Sequence, residues 1–507
     1  MDRHAELKDA LSFSIPGARF SPAHKIWLQE KAAGVPEESR HGWNGKTTMV
    51  KNGLLDVGLL LGARPELEKL GYKVKIKSWK DKPFIDLKKG YIDPSEQYEY
   101  QNRCVTAILG SIPNGGGLVL SATGTGKTKI AAQLSTWIDG GLLFVVDQVD
   151  LMYQSKKEIE DWFKIFGVKQ KVGIVGAGEF DPQKVTVATV QTLSKCKRPE
   201  YKKWTKTVKL IIIDEIHTQM AFRNFKVVMD IKPQAVIGLT ATMQLSKKPV
   251  RMKCWSICGP QVFEMPIQEG VKLGVLTQGV VLQIPVAMNT EPRRDIKRKK
   301  KDKRTGKVKR SVEEANDYEH QVVFNPHLED QIYALVNEAL KQDYATVVLV
   351  ERVRHLRRLA RRLQIHEPEL CYGAIKIVDR KKTIKHFDKG RYHLVIANRV
   401  FTKGVNIKRV GLIIDGAQRK NRNDCIQKFG RGVRLYDGKK GLLYFGLYTQ
   451  DKSGIKAEAS QRGAFKKNKI PVRTLSFRDL AFGPKGTFSV AKKFLEEKLA
   501  ENKKGKK

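Results

Sequence analysis

Residues 121–128 read SATGTGKT, directly after the apolar run 118–120 and before a helical pattern that starts near Lys129. A glycine-rich loop between a strand and a helix exposes backbone N–H groups that bind phosphate oxygens. Ser121 replaces the first glycine of the general GxxxxGK[ST] pattern, but the strand–loop–helix order is retained. The segment therefore predicts a phosphate-binding loop at the end of a buried parallel strand.

Four residues of this loop have the chemistry that a nucleoside triphosphate needs. Gly124 and Gly126 allow the backbone to approach the phosphates closely, and Lys127 reaches the β- and γ-phosphates. The Thr128 hydroxyl can bind Mg²⁺. We expect ATP and Mg²⁺ as cofactors.

A second apolar run, 210–213, ends in the two carboxylates Asp214 and Glu215. In a parallel sheet the carboxyl ends of the strands meet at one crevice, so this pair should face the phosphate loop. Asp214 can hold Mg²⁺ through water, while Glu215 activates the attacking water. An acidic cap at a helix start is the ordinary interpretation of either carboxylate alone, but Lys127 upstream favours a catalytic pair.

Short β-branched runs alternate with helical stretches in two successive series, which predicts two tandem α/β domains with parallel sheets. The predicted strands are 117–120, 142–146, 185–188, 210–213 and 235–239 in the first series, and 346–350, 394–397, 412–414 and 442–445 in the second. A chain of 507 residues is too long for one hydrophobic core.

The net charge of +42 favours a polyanionic partner, and nucleic acid is the first candidate. Residues 293–310 contain twelve basic and two acidic residues, so we expect a solvated loop that contacts phosphates, including through Lys299, Lys300 and Lys301. A disordered insertion that binds nothing is the alternative.

Other classes of protein are disfavoured. No apolar run approaches the roughly 18 residues of a membrane span, and residues 1–6 carry mixed charge with no apolar signal region. The six cysteines show no paired spacing, which argues against zinc and for reduced thiols. We expect a cytoplasmic protein that acts as a monomer.

Residues 427–434 read QKFGRGVR and supply Arg431 and Arg434, three positions apart. One helix face could present both guanidinium groups. Arginine suits the stabilisation of a γ-phosphate during hydrolysis because its planar fork donates to phosphate oxygens and stays charged. We therefore expect Arg431 and Arg434 to take part in catalysis.

Taken together, these motifs resemble those of the superfamily 2 helicases, in the order of that family. The similar segments are 100–101 (Q element), 122–128 (motif I), 146–154 (Ia), 189–193 (Ib), 214–217 (a DEIH box), 239–242 (III), 347–351 (IV), 397–406 (V) and 427–434 (VI). The resemblance spans roughly residues 100 to 435 and implies two RecA-like motor domains driven by ATP.

The resemblance also implies roles for further residues. Nucleotide contacts are implied for Gln101, Gly404 and Asn406, coupling for His217 and Gln427, and nucleic-acid contacts for Gln154, Thr189, Gln191 and Asn398. At position 398 this chain has asparagine where the family usually has threonine.

The N-terminal segments 19–25, 43–46, 53–60 and 71–74 look like the N-terminal domain of the phage UvsW helicases, within a group that also contains XPB. This likeness implies a motor on forked, branched or single-stranded DNA that remodels forks and junctions and anneals strands, in recombination and repair. We expect a small α+β recognition domain over 1–90, motor domains over 91–272 and 273–450, and a basic extension over 451–507.

Three other functions are alternatives to a motor that remodels branched DNA. An RNA helicase of the DExH type and a duplex translocase without strand separation stay open, because such motors grip mainly backbone phosphates. A nucleotide-binding scaffold without activity is disfavoured, since the chain keeps Lys127, Glu215, Arg431 and Arg434 together.

Overall fold

The structure is a computed structural model that describes residues 2–9, 12–14, 54–55, 73–76, 85–195, 198–219, 227–228, 230–231, 233–241, 254–292, 315–398, 407–418 and 421–504. The chain divides into two compact units, Met1–Pro266 and Ile267–Lys507. The four-domain division expected from the sequence is finer than this split and stays a prediction.

The N-terminal part of the first unit contains a small sheet. Its described strands are β1 (Asp2–Asp9), β2 (Ser12–Ser14), β3 (Leu54–Leu55) and β4 (Lys73–Ile76). Their order is β3-β2-β1-β4, with β1 antiparallel to β2 and parallel to β4. These strands form a sheet separate from the larger one that follows.

A larger sheet forms the centre of the first unit. The strands that follow in the chain are β5 (Asp86–Leu87), β6 (Gly116–Ser121), β7 (Ile138–Asp139), β8 (Gly141–Val146), β9 (Val172–Gly176), β10 (Glu179–Asp181), β11 (Val185–Thr189), β12 (Val208–Ile213), β13 (Ala235–Thr240) and β14 (Gln261–Met265). Eight of the described strands pair in the order β10-β9-β11-β8-β12-β13-β6-β14, and only β10 runs antiparallel to its neighbour. β5 and β7 form a separate antiparallel pair.

Helices connect these parallel strands. In the first unit the described ones are α1 (Glu99–Ser111), α2 (Lys127–Trp137), α3 (Val149–Ile165), α4 (Val190–Leu193), α5 (Pro199–Thr205) and α6 (Ile216–Gln219). Strands β6, β12 and β13 are buried along almost their whole length, as the continuous apolar runs predict.

The second unit contains one parallel sheet. Its described strands are β15 (Gly279–Val286), β16 (Thr346–Leu349), β17 (Glu369–Cys371), β18 (Leu394–Ala397), β19 (Leu412–Asp415), β20 (Leu442–Thr449) and β21 (Val472–Thr474), in the order β17-β18-β16-β19-β20-β15-β21. The described helices are α7 (Ile267–Lys272), α8 (Pro326–Lys341), α9 (Val353–Arg362), α10 (Ile377–Asp388), α11 (Arg422–Gly432), α12 (Lys452–Lys467) and α13 (Gly483–Lys504). A π-helical segment, Glu319–Val323, precedes α8.

The expected fold class is confirmed, and all nine predicted strands are present within a few residues of their predicted ends. Strands that the sequence analysis missed include β9, which contains two glycines, and β15, which contains a proline. Pro285 is tolerated because it lies beyond residues 281–283, the part of β15 that pairs with β21, so the missing N–H interrupts no ladder on that side.

The C-terminal segment is more than a basic extension. β21 adds an edge strand to the sheet, and α13 inserts Phe488, Ala491, Phe494 and Leu495 into the core of the second unit. Within the described residues this segment is helical, because α13 continues to Lys504. The sequence analysis missed this amphipathic helix because the segment is highly charged, although its apolar positions recur at intervals of three and four.

Within the described ranges, no helix has both the length and the apolar character that crossing a membrane requires.

The packing of α13 gives a prediction about stability. Phe488 is 1% exposed, and its ring lies 5.2 Å from that of Phe445 in an edge-to-face contact. We expect Phe488→Ala to lower the free energy of unfolding by about 3–5 kcal/mol, because a buried aromatic leaves a cavity. Phe482→Ala is the matched control: Phe482 is 80% exposed, so the change should stay within about 0.5 kcal/mol. Urea unfolding measures both, and equal effects would contradict the assignment of α13 to the core.

Candidate active site

The phosphate-binding loop joins β6 to α2, as expected. Gly124 and Gly126 have φ values of 93° and 82°, a region that glycine adopts without steric cost. A Cβ at position 126 would lie 2.4 Å from Nε2 of Gln101. Glycine is thus required at position 126 both by backbone conformation and by the close approach of Gln101.

Ser121, the departure from the general loop pattern, has a structural role. Its hydroxyl lies 2.5 Å from Oγ1 of Thr125, which also donates to the carbonyl of Ala122 at 2.7 Å. Both hydroxyl groups are buried. Ser121 therefore stabilises the loop through a buried hydrogen bond with Thr125, which a glycine could not form.

Lys127 is the first residue of α2 and lies between the loop and the carboxylate strand. Its Nζ donates to the Ser121 carbonyl at 3.3 Å and to Oε1 of Glu215 at 3.4 Å. The Lys127 side chain is 13% exposed. The sequence placed Lys127 and Glu215 in one site, and the fold brings them into contact across 88 positions of the chain.

Asp214 follows β12, and its backbone N–H donates to the carbonyl of Val145 at 2.9 Å. Its Oδ1 is buried and has no hydrogen-bond partner among the described residues. Burial raises the pKa of Asp214 to about 7; the charge of Glu215 adds to this, while Lys127 opposes it. A buried carboxylate oxygen without a donor fits Mg²⁺, and the Thr128 hydroxyl, next to Lys127, is a second oxygen ligand of the kind that this ion prefers.

Glu215 has the opposite electrostatic environment. Burial alone would raise its pKa, but the charges of Lys127 and His217 and the hydrogen bonds from Lys127 and Thr240 hold the pKa below its ordinary value. The residue also has a φ of 46°, which is uncommon outside glycine. Glu215 is therefore an ionised carboxylate held in a strained conformation, as functional groups often are.

His217 and Thr240 complete this network. Nδ1 of His217 lies 2.7 Å from Oγ1 of Thr240 and 3.5 Å from Oε2 of Glu215, and the Thr240 hydroxyl donates to Oε2 of Glu215 at 3.4 Å. Thr240 ends β13, which lies between β12 and β6 in the sheet. Motif III had been recognised, but Thr240 was not among the predicted site residues; its position at the end of a central strand was the signal.

Gln101 and its neighbour Tyr100 both form hydrogen bonds with the phosphate-binding loop. Nε2 of Gln101 donates to the carbonyl of Thr125 at 3.1 Å, and the Tyr100 hydroxyl donates to the same oxygen at 2.7 Å. Gln101 is 1% exposed, and its Oε1 has no hydrogen-bond partner among the described residues. The structure thus shows Gln101 in contact with the phosphate loop.

A buried lysine on α2 was missed by the sequence analysis. Nζ of Lys129 lies 2.5 Å from Oδ2 of Asp93, 3.5 Å from the ring centroid of Tyr98 and 4.6 Å from that of Trp162. Burial lowers the pKa of Lys129, although Asp93 opposes the shift. These contacts attach the segment that precedes Gln101 to the helix of the phosphate loop.

The described residues that are predicted to contact nucleic acid differ in exposure: Gln191 is exposed, Gln154 and Asn398 are half-buried, and Thr189 is buried. Gln154 donates to Glu158 at 2.7 Å, Thr189 is buried, and Gln191 donates to the carbonyl of Asp147 at 2.8 Å, which links motif Ib to motif Ia. In the second unit, the backbone N–H of Asn398 donates to the carbonyl of Cys371 at 3.2 Å. The remaining predicted residues, Gly404, Asn406, Lys299, Lys300 and Lys301, lie outside the described residues.

The two arginines of motif VI differ in setting. Arg431 lies in α11 and is 9% exposed, whereas Arg434 lies beyond the helix end and forms an antiparallel bridge with Leu276. The expectation that one helix face presents both is therefore wrong. The helix ends at Gly432 because the backbone at Val433 and Arg434 pairs with residues 276–277, which precede β15; there the N–H of Thr277 donates to the Val433 carbonyl. Gln427, the predicted coupling residue, is half-buried in α11.

A buried ion cluster fixes α11 to the sheet. Nζ of Lys428 lies 2.8 Å from Oδ2 of Asp415, at the end of β19, and 3.3 Å from Oδ2 of Asp424. The Tyr444 hydroxyl donates to the same Asp415 oxygen at 2.5 Å. The cluster holds the helix that carries Gln427 and Arg431 in one position.

Lys439 fixes the segment after this helix and was also missed. Its Nζ donates to the carbonyls of Gly432, of Arg434 at 3.2 Å and of Lys408 at 3.3 Å. Burial lowers the pKa of Lys439 to about 7; Asp388 opposes the shift and Arg434 adds to it. No motif marks this residue, because its contacts depend on how the chain folds back after α11 and on the Lys408 carbonyl, which is 31 positions away.

Two families of known proteins match this chain, one in each of its two units. Residues 95–245 match the family described as "Type III restriction enzyme, res subunit", and residues 329–436 match "Helicase conserved C-terminal domain"; together they cover about half of the chain. The chain is 22% identical to the "DNA 3'-5' translocase XPB2" of Sulfurisphaera tokodaii over 374 residues, which are 69% of this chain and 81% of that protein.

Two solved structures are similar over most of the chain. One is Dbp5 of Saccharomyces cerevisiae bound to RNA and ADP BeF3, with a TM-score of 0.55 and 16% identity over 78% of this chain and 93% of that chain. The other is T4 UvsW, with a TM-score of 0.39 and 15% identity over 94% of this chain and 99% of that chain. The Dbp5 match supports the fold alone.

The contacts of Thr240 give a prediction about nucleotide hydrolysis. We expect Thr240→Val to lower kcat roughly 10- to 100-fold with little change in KM, because the hydroxyl donates to a charged carboxylate and such bonds are worth about 1.5–3 kcal/mol. Thr240→Ser keeps the hydroxyl and should keep most of the rate. Steady-state phosphate release measures both variants, and equal rates would exclude a role for the hydroxyl.

The environment of Lys439 gives a prediction about pH. Because its pKa is lowered to about 7, the folded protein releases this proton near neutrality, while the unfolded chain retains it to about pH 10.4. The unfolded state then binds more protons, so stability due to this group rises with pH above 7. In urea unfolding, wild type should gain stability relative to Lys439→Met between pH 7 and 9. Lys440→Met, at the exposed neighbour, should show no such divergence; parallel curves for Lys439→Met would contradict the assignment.

Proposed function

Because the chain belongs to the superfamily 2 helicases and is an ATP-dependent helicase, we propose that it remodels branched DNA. The proposed activities are fork regression, branch migration of junctions and strand annealing, in replication, recombination and repair. The observation that carries the motor chemistry is the contact of Lys127 with Glu215 beside the buried Asp214.

We propose that Lys127 binds the β- and γ-phosphates of ATP when they displace its present contacts. Asp214 and Thr128 would hold Mg²⁺, which supplies positive charge at the phosphates. Glu215, which is ionised, accepts a proton from the water whose oxygen attacks the γ-phosphorus, while the bond from the γ-phosphorus to the β–γ bridging oxygen breaks and ADP leaves with that oxygen. Gly124, Gly126 and Gln101 shape the loop, with Gly404 and Asn406 as further proposed nucleotide contacts.

Positive charge is also needed where charge develops in the transition state. We propose that Arg431 and Arg434 supply it, since arginine remains charged and donates to phosphate oxygens in fixed geometry. His217 and Gln427 are proposed as coupling residues. For His217, the support is its bond to Thr240, which ties the carboxylate strand to the end of β13.

DNA is the preferred substrate on two grounds. The relative XPB2 is named a DNA translocase, and the N-terminal segments resemble those of UvsW. We propose that residues 1–90 recognise branched substrates and that the basic segment 293–310 contacts phosphates, together with Gln154, Thr189, Gln191 and Asn398. The protein is proposed to act as a monomer.

An RNA helicase is the second candidate, because RNA offers the same backbone phosphates that motors of this type contact. A translocase on duplex DNA without strand separation is the third, because XPB2 is named a translocase. Motors that grip phosphates do not by themselves distinguish these substrates.

The test of the motor uses Glu215→Gln. Loss of the general base should lower nucleic-acid-stimulated ATP hydrolysis roughly 100-fold or more while nucleic-acid binding is retained. Glu264→Gln, an exposed change in β14 of the same sheet, is the control and should hydrolyse ATP normally. Normal turnover by Glu215→Gln would sink the active-site assignment.

The substrate is decided by stimulating wild-type ATPase with forked DNA, linear duplex and RNA of equal nucleotide length. Strongest stimulation by the fork, with fork regression in a strand-exchange gel, is expected. Greater stimulation by RNA would replace the DNA proposal by the RNA one, and equal stimulation by linear duplex without strand separation would favour the translocase.

A further inference from the structure

The turn between β21 and α13, residues 476–483, exposes two phenylalanines. Phe477 is 53% exposed and Phe482 is 80% exposed. Phenylalanine is usually buried, because its transfer from water is worth about 1.5–3 kcal/mol. Two such rings on one short turn suggest a surface kept for a partner.

The turn is held by hydrogen bonds at its start. The backbone N–H and hydroxyl of Ser476 donate to Oδ2 of Asp479 at 2.6 and 2.7 Å, and the N–H of Asp479 donates to the Ser476 carbonyl at 3.1 Å. These bonds lower the pKa of Asp479. Leu475, next to the turn, is anchored in the core at 4% exposure. Phe477 is therefore exposed by an ordered backbone.

The end of the turn is constrained in a similar way around Phe482. The N–H of Gly483 donates to the Leu480 carbonyl at 2.9 Å, and Gly483 has a φ of 63°. A Cβ at Gly486 would lie 2.4 Å from Cβ of Phe482. Glycine at 483 and 486 thus permits the conformation that presents Phe482, the most exposed large apolar residue among those described.

The turn lies at the end of the second sheet where its parallel strands finish. β21 is parallel to β15, which is parallel to β20. The turn follows the carboxyl end of β21, so it lies at the same end of the parallel sheet as the carboxyl end of β18, which is followed by Asn398, although β18 is five strand positions away. Residues 471–486 contain Arg473, Arg478 and Lys485 against Asp479 alone, so the local charge complements phosphate.

We propose that Phe477 and Phe482 form a stacking surface for unpaired bases of a nucleic-acid strand. Aromatic side chains beside basic residues are the elements with which proteins bind single strands without sequence preference. Arg478 and Asp479 directly follow Phe477, and Lys485 follows Phe482 by three positions, so basic side chains lie close to both rings in the sequence, as in surfaces that bind a single strand. The proposal rests on the proposed function in requiring nucleic acid as the substrate.

The experiment compares Phe477→Ala/Phe482→Ala with wild type on two probes, a dT oligonucleotide and an abasic strand of equal length. Stacking is worth about 1–3 kcal/mol per base, so the variant should bind dT at least about tenfold more weakly by fluorescence anisotropy. Wild type should bind the abasic strand more weakly than dT, and the double variant should lose this discrimination. Ile365→Ala is the control, since Ile365 is 77% exposed in the same unit but has no ring.

Undiminished discrimination between dT and the abasic strand in the double variant would overturn the proposal. An equal loss on both probes would also overturn it, because it would assign the turn to backbone contacts. Thermal unfolding of the variant should match wild type, since both side chains are exposed. Nucleic-acid-stimulated ATPase of the wild type is measured in parallel: its absence would refute the proposed function, whereas base discrimination by the turn is read from binding alone.

Discussion

The parallel pairing of β12, β13 and β6 is the constraint on which the candidate site depends. β12 carries the carboxylates at its end, β6 leads into the phosphate loop, and β13 lies between them with Thr240 at its end. Because the three strands are parallel and in register, Lys127 and Thr240 both reach Glu215 within 3.4 Å. A shift of one residue in β13 would turn Thr240 to the other face of the sheet and open the network.

The same geometry separates the properties of two adjacent carboxylates. Asp214 is buried with an oxygen that lacks a donor, and its pKa is raised to about 7, whereas Glu215 receives bonds from a lysine and a threonine and its pKa is lowered. Neighbouring acids with opposite shifts suit different tasks. Asp214 suits the binding of a cation, which would favour its ionised form. Glu215 is already ionised, as a general base must be. The strained φ of Glu215 is the local cost of turning its side chain toward Lys127 rather than away.

The sequence predicted what is local and missed what is assembled over distance. Continuous apolar runs predicted β6 and β12, and the loop pattern predicted Lys127, because strand and loop signals lie within a few residues. Lys439 could not be derived from spacing, because one of its carbonyl partners, Lys408, is 31 positions away. Ser121 is a local exception: its partner Thr125 is four positions away, but the contact depends on the conformation of the loop. The end of α11 before Arg434 follows from pairing with residue 276, more than 150 positions earlier, which the helical pattern of motif VI cannot show. At this point the pairing of residue 434 with residue 276 ends the helix, although the local sequence favours its continuation.

The distribution of paired charge limits what the net charge of +42 can mean. Helix α9 is rich in arginine, yet Arg358 binds Glu329 through two nitrogens at 2.6 and 3.2 Å and Arg354 lies 3.6 Å from Glu319. Arginines four positions apart on one face therefore meet carboxylates of the preceding segment and attach α9 to it. A helix that looks like a phosphate-binding surface in the sequence is largely neutralised within its own unit. The positive field available to a polyanion must then come from residues that lack such partners, so charge alone does not locate a nucleic-acid interface.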